Sequence, residues 1–269
     1  MPKMGMAAGI SYCETGAQYK SVPVICLHGI GGDHSSFASQ IDHFGARRVI
    51  AWNMPGYGTS TPLAMMDFAA VSHSVIRLMD ALAVEQAHLV GHSIGGMIAL
   101  ETAIRAPSRV TSLGLIATTS AFGGRDESFK TAFLEARLAP LDAGADMARV
   151  AHDTIPTILG PGASTAMKMA AITAMAGIDE AAYRQVLTCL VTFNRRDDLA
   201  QLALPCCLIA GAHDTNSPAQ TMEKMAQRLG DATFHVVDQA GHLVNSEAPE
   251  IVNTMLAHLF ERAERLNHG

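Results

Sequence analysis

The 269-residue sequence predicts an α/β fold: a parallel sheet covered by helices on both faces, with a helical insertion. Three observations carry this expectation. Short, near-continuous apolar runs rich in β-branched residues recur along the chain, as in strands buried on both faces. Helical patterns separate most of them. One long stretch, residues 121–198, contains helical patterns and no convincing strand.

Taken in order, the predicted strands are "VPVICLHG" (22–29), "RVIAWNMPG" (48–56), "AHLVGHS" (87–93), "VTSLGLIATT" (110–119), "PCCLIAGAHD" (205–214) and "ATFHVVDQAGH" (232–242). Residues 68–82 carry a helical stripe at Val71, Val75, Leu78, Met79 and Leu82. Residues 95–107 are helical and stop at Pro107. Residues 218–230 begin on Pro218 and end on Gly230, and residues 247–266 form a closing helix. The insertion is expected to lie over one edge of the sheet as a helical cap (121–198) on a core of 1–120 and 199–269. Met167, Met169 and Met175 fall within it, either as core or as an adaptable binding surface.

Composition narrows the function classes. The formal net charge is −6 and the pI about 6.0, with Lys and Arg scattered, so no nucleic-acid partner is expected. No apolar run approaches the roughly 20 residues that cross a bilayer, and the first residues lack the apolar stretch of a signal peptide. A soluble, cytoplasmic protein without a membrane partner is expected; a homodimer is compatible with the sequence. The five cysteines, Cys13, Cys26, Cys189, Cys206 and Cys207, show no metal spacing and read as buried thiols. No dinucleotide, Walker or HExxH motif occurs, so no cofactor and no metal are expected.

The chemistry centres on "GHSIG" (91–95), which fits G-x-S-x-G where a predicted strand meets a predicted helix. Such a turn strains the serine backbone and leaves no room for side chains at its glycines. Ser93 is the candidate nucleophile. Its base is expected after the last strand, at His242, and the orienting acid between the two, at Asp214. Asp238 is the rival acid, while Asp197 and Asp198 read as solvated charges or a helix cap. Two backbone N–H groups should face the developing oxyanion. Ile94 follows the nucleophile, and Ile30 lies in the glycine-rich loop "HGIGG". His28 is expected to hold that loop and His92 to pack or orient locally. "MPGYGTS" (54–60) reads as a tight structural turn.

Together "LHGIGG", "NMPGYGTS", "LVGHSIGG", "AGAHD" and "AGH", in this order and spacing, resemble the α/β-hydrolase family over nearly the whole chain. Within it, the chain is similar to the bacterial carboxylesterase and enol-lactonase branch. The resemblance implies a mostly parallel eight-stranded sheet, a variable cap at 121–198 and a Ser93–Asp214–His242 triad. The chain departs from carbon–carbon hydrolases, which usually carry Trp shortly after the catalytic histidine, since Leu243 follows His242 and Trp52 is the single Trp. It also lacks the tryptophan-bearing cap segment of many enol-lactonases.

The expected activity is hydrolysis of a small or medium carboxylic ester through an acyl-enzyme. A lactonase or carbon–carbon hydrolase with the same residues, and a ligand receptor with an idle triad, are the alternatives. Few cationic residues lie in "TILGPGASTAMKMAAITAMAGI" (157–178), which argues against a dianionic substrate.

Overall fold

The computed structural model describes residues 2–123 and 127–267. An antiparallel hairpin, β1 (Lys3–Ala7) and β2 (Ile10–Thr15), opens the chain and is followed by β3 (Val24–Leu27), α1 (Ala38–His43), β4 (Val49–Trp52) and α2 (Phe68–Ala81). Next come β5 (Ala87–His92), α3 (Ile94–Arg105) and β6 (Val110–Ile116). The insertion supplies α4 (Glu127–Asp142), α5 (Met147–Ile158), α6 (Thr165–Ala176) and α7 (Glu180–Leu190). The chain closes with β7 (Cys206–Gly211), α8 (Ala219–Ala226), β8 (Ala232–Val237), α9 (Val244–Glu247) and α10 (Pro249–Asn267).

The eight strands form one sheet in the order β1-β2-β4-β3-β5-β6-β7-β8. Pairing is antiparallel at β1–β2 and β2–β4 and parallel from β4 to β8. Side chains alternate across the central strands and so feed two cores. Ile25, Leu27, Ile50, Trp52 and Leu89 face one core with α2, α3 and the insertion, whereas Val24, Cys26, Val49, Ala51 and Val90 face the other with α1 and α10. Each large apolar side chain sealed this way contributes about 1.5–3 kcal/mol.

Polar residues start the helices where the sequence offers them. Asp67 caps α2 through the Ala70 N–H, Asp146 caps α5, Ser164 caps α6 and Asp179 caps α7. Asp198 occupies the corresponding position before a short 3₁₀ turn but makes no cap bond and pairs with Arg195 instead.

Two differences from the sequence expectation stand out. The first residues form the edge hairpin, whose turn places Ala8 and Gly9 at φ 49° and 79°, the positive values a tight hairpin needs. The closing helix is broken at Ala248, where α9 ends and Pro249 starts α10.

The ends of the insertion meet. Ala121 bridges Asn194, the Phe122 N–H donates to the Phe193 carbonyl, and the Arg195 N–H donates to the Ser120 carbonyl. Arg195 then reaches α3, where Glu101, 1% exposed, accepts from it at 2.6 and 2.7 Å. Burial works to raise the Glu101 pKa, but the bonds to Arg195 and Arg105 outweigh it and hold the carboxyl below its ordinary value. The insertion lies over the carboxyl ends of the central strands, where the loops after β3, β5, β6 and β7 converge with it on one cavity.

Candidate active site

Ser93 stands between β5 and α3 at φ 55°, ψ −121°, a conformation that costs about 1–3 kcal/mol in a non-glycine residue. Its neighbours hold it there. The Ser93 N–H donates to the Ile116 carbonyl, and its own carbonyl accepts from the Gly96 N–H and the Thr118 hydroxyl. The turn closes only because Gly91 and Gly95 lack side chains. A Cβ on Gly95 would overlap the backbone of Leu27 and His28, and one on Gly91 would overlap that of Gly95.

The turn aims the Ser93 hydroxyl at His242. Ser93 Oγ lies 3.0 Å from His242 Nε2, and His242 Nδ1 lies 2.8 Å from Asp214 Oδ2. The carboxylate can only accept, so Nδ1 carries the proton and Nε2 is left to accept from the serine. The other oxygen of Asp214 accepts the Asn216 and Ser217 N–H groups at 2.8 and 3.0 Å. Burial favours the neutral acid, but His242 and these two amides outweigh it and hold the Asp214 pKa below its ordinary value. Asp238, the rival acid, is exposed just past β8.

The backbone around His242 is fixed on every side. Its N–H donates to the Ile158 carbonyl at the end of α5, at 2.7 Å. Its carbonyl accepts from His92 Nε2, also at 2.7 Å. Glu247 accepts the Gly241 and Leu243 N–H groups on either side, and the Gly160 N–H from the insertion, at 2.7–3.0 Å.

The Ile30 and Ile94 N–H groups make no hydrogen bond within the protein among the described residues. The Tyr57 hydroxyl donates to the Ile30 carbonyl at 2.9 Å and steadies the peptide that follows Ile30. His28 holds the same loop: Nε2 accepts the Met54 N–H at 3.0 Å, and Nδ1 donates to the Gly29 carbonyl at 2.8 Å. Burial keeps His28 neutral, with a pKa of about 4, and His92 likewise, at about 3.

Ser93 and His242 open into a cavity of about 1070 Å³. Met167 and Met175 line it, whereas Met169 is 48% exposed. Its walls include Phe122, Phe133, Ile155 and Leu190, and also Arg137, Arg196, Lys224 and Arg228. Residues 157–178 hold few cations, as the sequence shows, and those of the cavity wall come from segments outside that range, so that count does not describe the site. Tyr57 and Glu247 were not singled out by sequence, because what marks them is a bond across the fold. Tyr57 lies within the turn read as structural, and that turn reaches the Ile30 loop. Among the described residues no cluster of His, Cys, Asp or Glu could hold a metal ion, and no helix is long and apolar enough to cross a membrane.

This geometry meets an independent observation: the model of the alpha/beta hydrolase family matches residues 24–254. The chain belongs to the alpha/beta hydrolase family. Among this hydrolase's relatives is the dihydrolipoyllysine-residue acetyltransferase component of the acetoin cleaving system of Pseudomonas putida. It is 32% identical over 245 residues, which cover 88% of this chain and 63% of that relative. The hydrolase thus spans less than two thirds of that relative's length. Among solved structures, a thermophilic esterase from Thermogutta terrifontis superposes with a TM-score of 0.82 at 21% identity, covering 98% of this chain and 99% of the other. The enol-lactonase from Burkholderia xenovorans LB400 superposes with a TM-score of 0.85 at 18% identity, covering 96% and 100%. At those identities the two structures share the fold with the hydrolase.

Proposed function

We propose that this hydrolase cleaves small to medium carboxylic esters through an acyl-enzyme. The observation that carries the reading is the continuous chain of hydrogen bonds from Ser93 through His242 to Asp214, opening on a largely apolar cavity. In this reading His242 Nε2 takes the Ser93 proton as Oγ attacks the ester carbonyl. The oxyanion that forms is bound by the Ile30 and Ile94 N–H groups, each worth about 10²–10³ in rate. Asp214 keeps the imidazole in the required tautomer and stabilises its positive charge. His242 then protonates the departing alkoxide, and the alcohol leaves. Water, deprotonated by His242, attacks the acyl-enzyme, and Ser93 recovers its proton as the acid departs. The helical cap, residues 121–198, shapes the pocket for the substrate.

A lactone is an internal ester and would pass through the same steps, with the alcohol retained on the product. Hydrolysis of p-nitrophenyl acetate and butyrate tests the reading. Wild type should turn both over with a burst of p-nitrophenol, and Ser93→Ala should lose several orders of magnitude in kcat. Unchanged turnover in Ser93→Ala would overturn the nucleophile assignment.

A further inference from the structure

The cavity wall has a charge the chain as a whole does not. The sequence holds 25 acidic and 19 basic residues, yet among the described residues no Asp or Glu lines the cavity, while Arg137, Arg196, Lys224 and Arg228 do. None of the four pairs with a carboxylate among the described residues, although arginines elsewhere do so routinely: Arg184 binds Asp142 and Glu180. Adjacent residues make the contrast plain. Arg195 turns to the buried Glu101, while Arg196 lines the cavity.

The four divide by exposure. Arg137 on α4 and Arg196 at the exit of the insertion are half-buried. Arg137 lies against the Phe133 ring, its guanidinium carbon 5.4 Å from the ring centroid. Tyr183, 1% exposed, lines the same cavity, and its hydroxyl makes no hydrogen bond within the protein among the described residues. Lys224 on α8 and Arg228, two residues past its end, are exposed, and both line the cavity. Unpaired cations in a cleft with apolar walls concentrate field there and attract anions.

We propose that this cavity is built for an ester that carries a second, free carboxylate, held by Arg137 and Arg196 and drawn in by Lys224 and Arg228. The substrate class is then a dicarboxylic half-ester. The inference rests on the serine-hydrolase reading: half-ester and water give the alcohol and the dicarboxylate, with one proton released. The apolar residues that line the same cavity, Phe122, Phe133, Ile155 and Leu190 among them, suit the methylene chain joining the two ends.

Monomethyl esters from succinate to sebacate, each set against the dimethyl ester of the same acid, provide the test. At low salt, kcat/KM for the half-ester should exceed that for the diester by about tenfold at the preferred chain length, and the ratio should fall towards one as salt rises. Arg137→Gln and Arg196→Gln should each pull the ratio towards one, with Lys224→Gln and Arg228→Gln acting about two- to threefold. Thermal unfolding of each variant separates a lost subsite from a lost fold. A wild-type ratio at or below one, alongside Ser93-dependent cleavage of the diesters, overturns the subsite and leaves the hydrolase reading standing. Absence of Ser93-dependent turnover of either ester overturns the hydrolase reading. Calorimetric titration of Ser93→Ala with the half-esters then reads the subsite alone. Binding weakened by Arg196→Gln supports it, and absence of binding overturns it.

Discussion

The side chain of His92 donates from Nε2 to the backbone carbonyl of His242. The residue before the candidate nucleophile thus holds the candidate base by its main chain. A buried carbonyl deprived of its donor costs about 1–3 kcal/mol, and the histidine loop would relax to find another. His92→Phe is therefore expected to lower kcat on p-nitrophenyl acetate about ten- to hundredfold with little change in KM. His92→Gln keeps an N–H donor and should recover part of the loss. Equal kcat in wild type and His92→Phe would remove the positioning role.

Acid should weaken the fold before it protonates the carboxylates. His28 and His92 are buried neutral, with pKa values of about 4 and about 3, whereas an exposed histidine titrates near 6.5. Between those limits the unfolded chain binds more protons than the folded one, so stability rises with pH there. Their contribution is complete above about pH 6.5 and is lost as pH falls towards the folded values. Each histidine adds a slope of about 1.4 kcal/mol per pH unit, so the pair removes about 4 kcal/mol between pH ~6.5 and ~5. Asp214, held low in the fold, has the same sign in a more acidic window. Urea unfolding across that range checks this, and His92→Phe should reduce the slope by about half.

Glu247 gathers three N–H groups from two segments, so an amide in its place leaves donors facing donors. Glu247→Gln is expected to lower kcat about tenfold and to speed amide exchange at Gly160, Gly241 and Leu243 together. Glu250→Gln, on the exposed face at the start of α10, should change neither. Exchange that rises at Gly241 and Leu243 but not at Gly160 would mean that the insertion is held by other bonds.

The serine turn tolerates no methyl group at Gly95, because the atoms it would meet are backbone. Gly95→Ala should yield little soluble folded protein. Gly45→Ala, whose new Cβ would sit at an ordinary 3.4 Å from the Asp42 carbonyl, should fold normally. Circular dichroism and soluble yield distinguish the two, and a well-folded Gly95→Ala would mean that the turn can open.

The central strands were legible because burial on both faces writes them as unbroken apolar runs. Val24–Leu27 and Cys206–Gly211 are buried throughout. Lys3–Ala7 was not legible: Met4 and Met6 are exposed on an edge strand, so no apolar pattern marks it. Ser93, Asp214 and His242 could be singled out as candidates because each follows a strand, a position that chain order reveals, and the structure brings the three side chains within hydrogen-bond reach. The supports of His242 could not. Glu247, Ile158 and His92 meet around it only after three separate segments pack. The cations of the cavity were missed for a related reason: counting charge along one segment does not sample a wall drawn from α4, α8 and the exit of the insertion.

The zipped ends of the insertion bear on how such proteins diversify. An interchangeable cap would be a cassette, cut at 121 and 198 and replaced by another. Here the exit carries Arg195, keyed to a carboxylate buried in α3, and the middle carries Ile158 and Gly160, keyed to the histidine loop. A foreign cap transplanted by its ends alone would strand Glu101 without one of its arginines and leave the His242 N–H without its acceptor. Lineages that exchange this segment must therefore inherit it together with its two locks, or rebuild them.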